Sequence, residues 1–264
     1  MVQFIFSTIM FFLVLLLAIY FLQRHLIYFP EQDVPSPLES GVPEMQTINL
    51  HTDDGLKLTA WYSPPAQPER ATILYLHGNA GHIGYRSMLI RSYLNDGYGV
   101  LLLTYRGFSG NPGTPSEVGL YKDARAGIQF LHMQGISDEC LVCFGESLGG
   151  AVAIQMATEY DVGALILQSP FTSLSDIGQY HYPFFPVKWL IKDKYASIEK
   201  INLIQCPVLV ILAKNDNIVP PAMSRRLFEA ILAPKKLLVI PGKGHNSLDE
   251  PVEVIRFLQN YVPC

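Results

Sequence analysis

The chain has 264 residues, enough for one large α/β domain or two small ones, and carries a net charge of −4 with a pI near 6.0. It therefore lacks the basic footprint of a nucleic-acid-binding protein. Hydrophobic residues make up 49% and charged residues 16%, an apolar balance for a soluble protein, and the surplus is concentrated at the front.

Phe4 to Leu22, "FIFSTIMFFLVLLLAIYFL", runs without a charge. At ~1.5 Å rise per residue a helix of this length approaches the ~30 Å hydrocarbon core of a bilayer. No Lys or Arg precedes the run, it is long for a signal-peptide apolar region, and no A-x-A cleavage site follows, so the expectation is a retained anchor within 1–29. Arg24 and His25 follow the span directly. By the positive-inside rule they lean the remainder of the chain toward the cytoplasm. Residues 30–44 contain Pro30, Pro35, Pro37 and Pro43 and read as a stiff polar connector to a domain over 45–264.

Beyond the connector, "MQTINLHT" and "LKLTAWYS" alternate around Asp53-Asp54-Gly55 and read as a hairpin. The chain then alternates strand and helix. "ATILYLHG" is a strand and "HIGYRSMLIRSYLNDG" a helix closed by Gly97; "YGVLLLTYRG" is a strand and "SEVGLYKDARAGIQFLHMQG" a helix. "CLVCFG" and "LGGAVAIQMATEY" repeat the pattern. "ALILQSP", "PVLVILAKND" and "KLLVIPG" are further strands, and "LDEPVEVIRFLQNYV" is a final helix. Continuous apolar strands joined by helices imply a mostly parallel, doubly wound α/β sheet with helices on both faces. Four cysteines, Cys140, Cys143, Cys206 and Cys264, are too few and too scattered to read as a disulfide framework. Cys140 and Cys143 form a C-x-x-C, but in a strand positions i and i+3 face opposite ways and cannot share a metal.

Residues 171–205 exceed what one connecting helix needs and include Tyr180, Tyr182, Phe184, Phe185 and Trp189. An insertion here falls over the carboxyl ends of the strands, where open α/β sheets bind ligands. The expectation is a cap whose aromatics line an apolar substrate pocket, against the plainer alternative of a packed helical excursion.

Gly145-Glu146-Ser147-Leu148-Gly149 fits G-x-S-x-G, follows a strand and opens a helix. That context presents a serine hydroxyl on a sharp, strained turn above the sheet edge. The serine needs a base. Of seven histidines, only His245 in "PGKGHNSL" lies in the loop after the last strand. Asp216, ending "PVLVILAKND", is the orienting carboxylate expected between them, with Asp176 and Asp193 in the insertion as alternatives. The oxyanion donors expected are the N–H of Leu148 at the helix start and of Asn79 in "HGNAGH". There is no H-E-x-x-H, P-loop or post-strand G-x-G-x-x-G, so neither a metal nor an organic cofactor is implied.

"LYLHGNAGHIGYR", "YRGFSGNPGTPSEVGLYKDA", "FGESLGGAVA", "SPFTSLSD", "HYPFFPVKWLI", "NDNIVPP" and "GKGHNSL" together resemble the bud-emergence-type (BEM-type) α/β-hydrolases, a group of membrane-anchored serine hydrolases. The resemblance spans about residues 45–261 and implies Ser147, Asp216 and His245 as the triad, with Asn79 and Leu148 as oxyanion donors. Related hydrolases act on lysophospholipids, monoacylglycerols and S-acylated proteins. The implied activity is therefore cleavage of acyl esters or thioesters in a small-molecule, lipid or S-acylated protein substrate, next to a lipid bilayer. A peptidase on the same scaffold, or a non-catalytic membrane scaffold, are the alternatives.

Overall fold

A computed structural model describes residues 1–245, 250–262 and 264 of the chain. It begins with helix α1, Val2–Ile27, whose only buried residue is Gln23. The helix is long and apolar enough to cross a membrane. Its apolar side chains are on the outside, so it is not a core helix.

The expected hairpin forms β1, Gln46–His51, and β2, Lys57–Ser63, paired antiparallel with Leu50 opposite Leu58. Gly55 takes φ +84° at its turn, a conformation that suits glycine. Six more strands follow: β3 Thr72–Leu76, β4 Gly99–Leu103, β5 Leu141–Glu146, β6 Ala164–Gln168, β7 Val208–Ala213 and β8 Lys235–Ile240. The eight-stranded order is β8-β7-β6-β5-β3-β4-β2-β1, parallel from β8 to β4, with the hairpin added antiparallel at one edge.

Alternation along each strand feeds two cores. Leu74, Leu76, Leu101, Cys143 and Leu165 face one layer, which holds α3 (Glu117–Met133) and α4 (Leu148–Glu159). Ile73, Tyr75, Val100, Phe144 and Ile166 face the other, with α2 (Ser87–Asn95) and α8 (Pro251–Tyr261). Every residue of β3, β4, β6 and β7 is buried, which is why those strands read as unbroken apolar runs. Each large aliphatic side chain buried this way contributes ~1.5–3 kcal/mol.

Several boundaries differ from the sequence reading. The helix expected over 82–97 opens as a 3₁₀ turn, Ile83–Arg86, where the His82 Nδ1 accepts from the Gly84 N–H. A helix absent from that reading, α7 at Pro221–Ala230, connects β7 to β8. Its cues were Pro221 at the first helical position and the spacing of the buried Ser224 and Leu227; Arg225 and Arg226 between them, and Glu229 beyond, dilute the apolar signal. The first residues of the expected final helix, Leu248 and Asp249, lie outside the described residues.

The insertion is smaller than 171–205. Helices α5 (Leu174–His181) and α6 (Val187–Leu190) project, whereas Asp193, Tyr195, Ile201 and Ile204 return to the interior. The connector is also packed near its end: Val42, like Met45 just beyond it, is buried in the α2 and α8 layer. The division drawn at residue 29 falls inside packed chain. Tyr28 is buried, and Phe29–Pro30 pairs in parallel with Ala80–Gly81.

The cysteines need a correction. Cys140 and Cys264, 124 residues apart in sequence, form a disulfide with 5.5 Å between Cα atoms. The pairing was hidden because only the docking of α8 beside the strand layer brings the chain end to residue 140. Cys143 lies buried in β5, as its strand position required, and is free, as is Cys206.

Candidate active site

The turn from β5 into α4 carries Ser147 at φ 51° and ψ −110°, a region that costs a non-glycine residue ~1–3 kcal/mol. The surroundings hold it there. The Ser147 N–H donates to Gln168 O at 2.8 Å, tying the turn to the neighbouring β6. A Cβ at Gly145 would come within 2.4 Å of Gly149 O, and one at Gly149 within 2.0 Å of Leu76 O. Both glycines are required because helix and strands approach closer than any side chain allows.

Three loops on the same sheet edge converge here. His245 Nε2 lies 3.0 Å from Ser147 Oγ, and its Nδ1 lies 2.7 Å from Asp216 Oδ2. The other Asp216 oxygen accepts from the N–H groups of Ile218 and Val219 at 2.9 and 2.8 Å. Burial pushes the Asp216 carboxyl up, but the bond and charge of His245 and the two backbone donors outweigh burial and hold it below its ordinary value. The carboxylate is therefore ionised at neutral pH, as a group that orients an imidazole must be.

Leu148 opens α4 and is buried, with the dipole of the helix behind its N–H. Asn79 lies in the loop after β3, next to Gly78, where a Cβ would meet Glu146 Oε1 at 3.3 Å. That loop is braced from an unexpected side. The Asn79 side chain donates to Ile27 O at 2.7 Å, and Phe29 N–H donates to Asn79 O at 2.8 Å. The end of the apolar helix thus holds the loop that carries one expected oxyanion donor.

The other candidates are engaged elsewhere. Asp176 pairs with Lys188 at 3.2 Å and accepts from Thr172. Asp193 is buried and takes a two-pronged bond from Arg24, at 2.9 and 3.2 Å, with the Tyr28 hydroxyl at 3.2 Å. His132 contacts Asp138 at 2.6 Å, and His181 Nε2 reaches Ile218 O at 2.9 Å. His77 is buried, its Nδ1 2.7 Å from Gly78 O.

Two functional contacts escaped sequence reasoning. Glu146, the variable position before the serine, is clamped by Arg86 through Nε at 3.1 Å and Nη2 at 3.2 Å, with the Tyr75 hydroxyl at 3.3 Å. The acidic residue beside the serine and the arginine in "HIGYR" were the available signal. The Arg24–Asp193 pair left none, because its partners are 169 residues apart.

The cap aromatics correct the expected pocket. Phe184 and Trp189 are 94% and 90% exposed, Tyr180 and Tyr182 are exposed, and Phe185 is half-buried. Phe184, Phe185 and Trp189 line an open cleft of about 410 Å³ with Gln179 and Lys188. Tyr180 lines another of about 360 Å³ with Thr172, Asp176 and Arg226. Only Tyr180 and Trp189 sit on helices, α5 and α6, and Tyr182, Phe184 and Phe185 lie in the turn between them. Glu31, Asp33 and His82 gather three potential ligand atoms near the surface, the two acids exposed and His82 partly buried, and exposed acids are common without an ion.

A family model described as serine aminopeptidase, S33, matches residues 67–193. An uncharacterized protein of Mycobacterium tuberculosis is 43% identical over 227 residues, covering 85% of this chain and 81% of that protein. Protein bem46 of Schizosaccharomyces pombe is 33% identical over 258 residues, covering 89% of this chain and 84% of its own. The lysophosphatidylserine lipase ABHD12 of Danio rerio is 31% identical over 243 residues, covering 78% of this chain and 63% of the lipase. Among solved structures, the Pyrococcus furiosus esterase Pf2001 superposes with a TM-score of 0.72 at 21% identity, over 89% of this chain and 99% of that one, which establishes the shared fold.

Proposed function

The chain belongs to the bud-emergence-type α/β-hydrolases and is a serine hydrolase, and within that family we propose that it cleaves acyl esters or thioesters of lipid-like or S-acyl substrates at a membrane surface. The observation that carries this reading is His245 bridging Ser147 at 3.0 Å and Asp216 at 2.7 Å on one sheet edge.

In this mechanism Ser147 Oγ attacks the acyl carbonyl carbon while His245 Nε2 takes its proton. The N–H groups of Leu148 and Asn79 receive the oxyanion. Collapse breaks the bond to the alcohol or thiol, which leaves with the proton from His245. Water then repeats the sequence on the acyl-serine, with His245 as base, releasing the carboxylic acid and restoring Ser147. Asp216 holds Nδ1 protonated throughout and stabilises the imidazolium.

Two observations favour a lipid-like acyl group: the apolar exterior of α1, which makes it a candidate anchor, and the relative named as a lysophosphatidylserine lipase. For the orientation of the domain, the Cys140–Cys264 disulfide favours an oxidising compartment, against the lean drawn from Arg24 and His25. The family description, serine aminopeptidase, keeps a peptidase as the second reading.

Labelling with a fluorophosphonate probe, followed by a panel of acyl esters, acyl thioesters and aminoacyl anilides, tests the proposal. The expected result is labelling of wild type but not of Ser147→Ala, with turnover of esters or thioesters. Turnover of the anilides alone would replace it with the peptidase reading.

A further inference from the structure

Part of the cap runs alongside α1. At the base of the helix, Gln23 Nε2 donates to Leu190 O at 3.1 Å and Gln23 Oε1 accepts from the Lys192 N–H at 2.7 Å. The Lys192 ammonium lies 4.1 Å from the Tyr20 ring centroid. At the far end, Phe185 stacks on Phe12 with ring centroids 6.3 Å apart. From Gln23 to Phe12 the helix climbs roughly 16 Å at ~1.5 Å per residue. Phe185 therefore stands level with a residue well inside the uncharged run Phe4–Leu22, at about the depth of one leaflet of a ~30 Å core.

The chemistry of the segment suits that depth. "YPFFPVKWL", residues 182–190, has no acid, and its one base, Lys188, pairs with Asp176 at 3.2 Å. Irregular backbone in hydrocarbon must satisfy its own polar groups. Here Pro183 and Pro186 have no N–H, and the amides of Phe185, Val187, Trp189 and Leu190 all donate within the segment. In water Phe184 and Trp189 would remain almost wholly hydrated, each an aromatic that can remove ~150–250 Å² of surface when covered. The Gln23 bond to Leu190 and the Phe12–Phe185 stack tie the segment to the helix, and the Arg24–Asp193 pair anchors the chain just beyond it, so it goes where the helix goes.

We propose that residues 182–190 insert into the leaflet adjoining the catalytic domain, where lipid covers Phe184 and Trp189 and the anchor and cap together form one membrane-embedded unit. The inference rests on α1 as a membrane anchor. It deepens the proposed function, because His181, at the other end of the cap, bonds Ile218 beside the Asp216 carboxylate. The site is then held at a fixed height over the bilayer.

The chain contains only two tryptophans, Trp189 and the core residue Trp61, so Trp189 is its own depth gauge. Full-length protein is incorporated into phosphatidylcholine vesicles whose acyl chains carry bromine, and Trp189 emission is taken as the difference between wild type and Trp189→Phe. The inference expects that emission to be largely lost to brominated chains and little affected by aqueous acrylamide. Protein that floats with the vesicles but shows red-shifted, acrylamide-quenched Trp189 emission without bromine quenching would overturn it. Protein that fails to float would overturn the anchor reading itself, and the cap proposal with it.

Discussion

Asp193→Asn separates an anchor that only tethers from one that helps to shape the site. The wild-type carboxylate, buried at the foot of the cap, accepts from Arg24 Nε and Nη2, the Tyr28 hydroxyl at 3.2 Å and the Glu117 N–H at 3.2 Å. Asparagine keeps the size but removes the charge and offers Arg24 an NH₂ in place of one oxygen. Breaking a fully buried pair costs about 3–5 kcal/mol. Arg24 is 40% exposed and can rehydrate, so the expected loss of stability is smaller, about 1–3 kcal/mol. Tyr28 adjoins Phe29, which holds Asn79, so the loop carrying an oxyanion donor should loosen. Deleting such a donor outright costs ~10²–10³ in kcat; displacing it should cost on the order of 10-fold, with KM changed less. Denaturant unfolding in detergent measures the first effect. Steady-state hydrolysis of p-nitrophenyl butyrate, normalised to fluorophosphonate-titrated sites, measures the second. An unchanged kcat in folded enzyme would refute the bracing of Asn79 by the anchor. A loss near 10⁴ would refute the assignment of Asp216 as the acid, because that is the size expected of a triad member.

Ser147→Ala should abolish probe labelling and lower kcat by on the order of 10⁴ to 10⁶ while leaving the unfolding midpoint close to wild type, since alanine keeps the same backbone strain and removes only the hydroxyl. Asp216→Asn should cost roughly 10⁴ in kcat with the fold retained, as His245 takes the wrong tautomer. Burial pushes the His77 imidazole down to about 3. Its folded value lies below the unfolded value of about 6.5, so stability is fully present above pH 6.5 and falls as pH drops toward 3. Urea unfolding should show a loss of roughly 3 kcal/mol between pH 7 and pH 4.5 from this group, shrinking in His77→Gln. Reducing the Cys140–Cys264 disulfide should expose two maleimide-reactive thiols and lower stability by on the order of 4 kcal/mol, because the loop it closes is long.

What could be read in advance divides by the range of the interaction that decides it. The turn at Ser147 is a local matter: glycines on either side, a strand before and a helix after suffice to predict a strained serine, and Ser147 does take φ 51°. The chain order of Ser147, Asp216 and His245 at three strand ends follows from the sheet topology, which the apolar runs already specify. The disulfide and the Arg24–Asp193 pair join residues more than a hundred positions apart, and no periodicity or composition encodes such a meeting. The cap fails for another reason. Composition says that Phe184 and Trp189 avoid water, but not what they turn to in order to avoid it. A pocket, a protein core and a lipid leaflet satisfy an aromatic ring about equally well. Only the placement of Phe185 against Phe12, on a helix that itself faces outward, distinguishes them. Under the proposal made above, the same aromatic pattern changes its meaning once its neighbour is known, from a pocket that selects the acyl chain to an edge that meets the membrane from which such a chain would come.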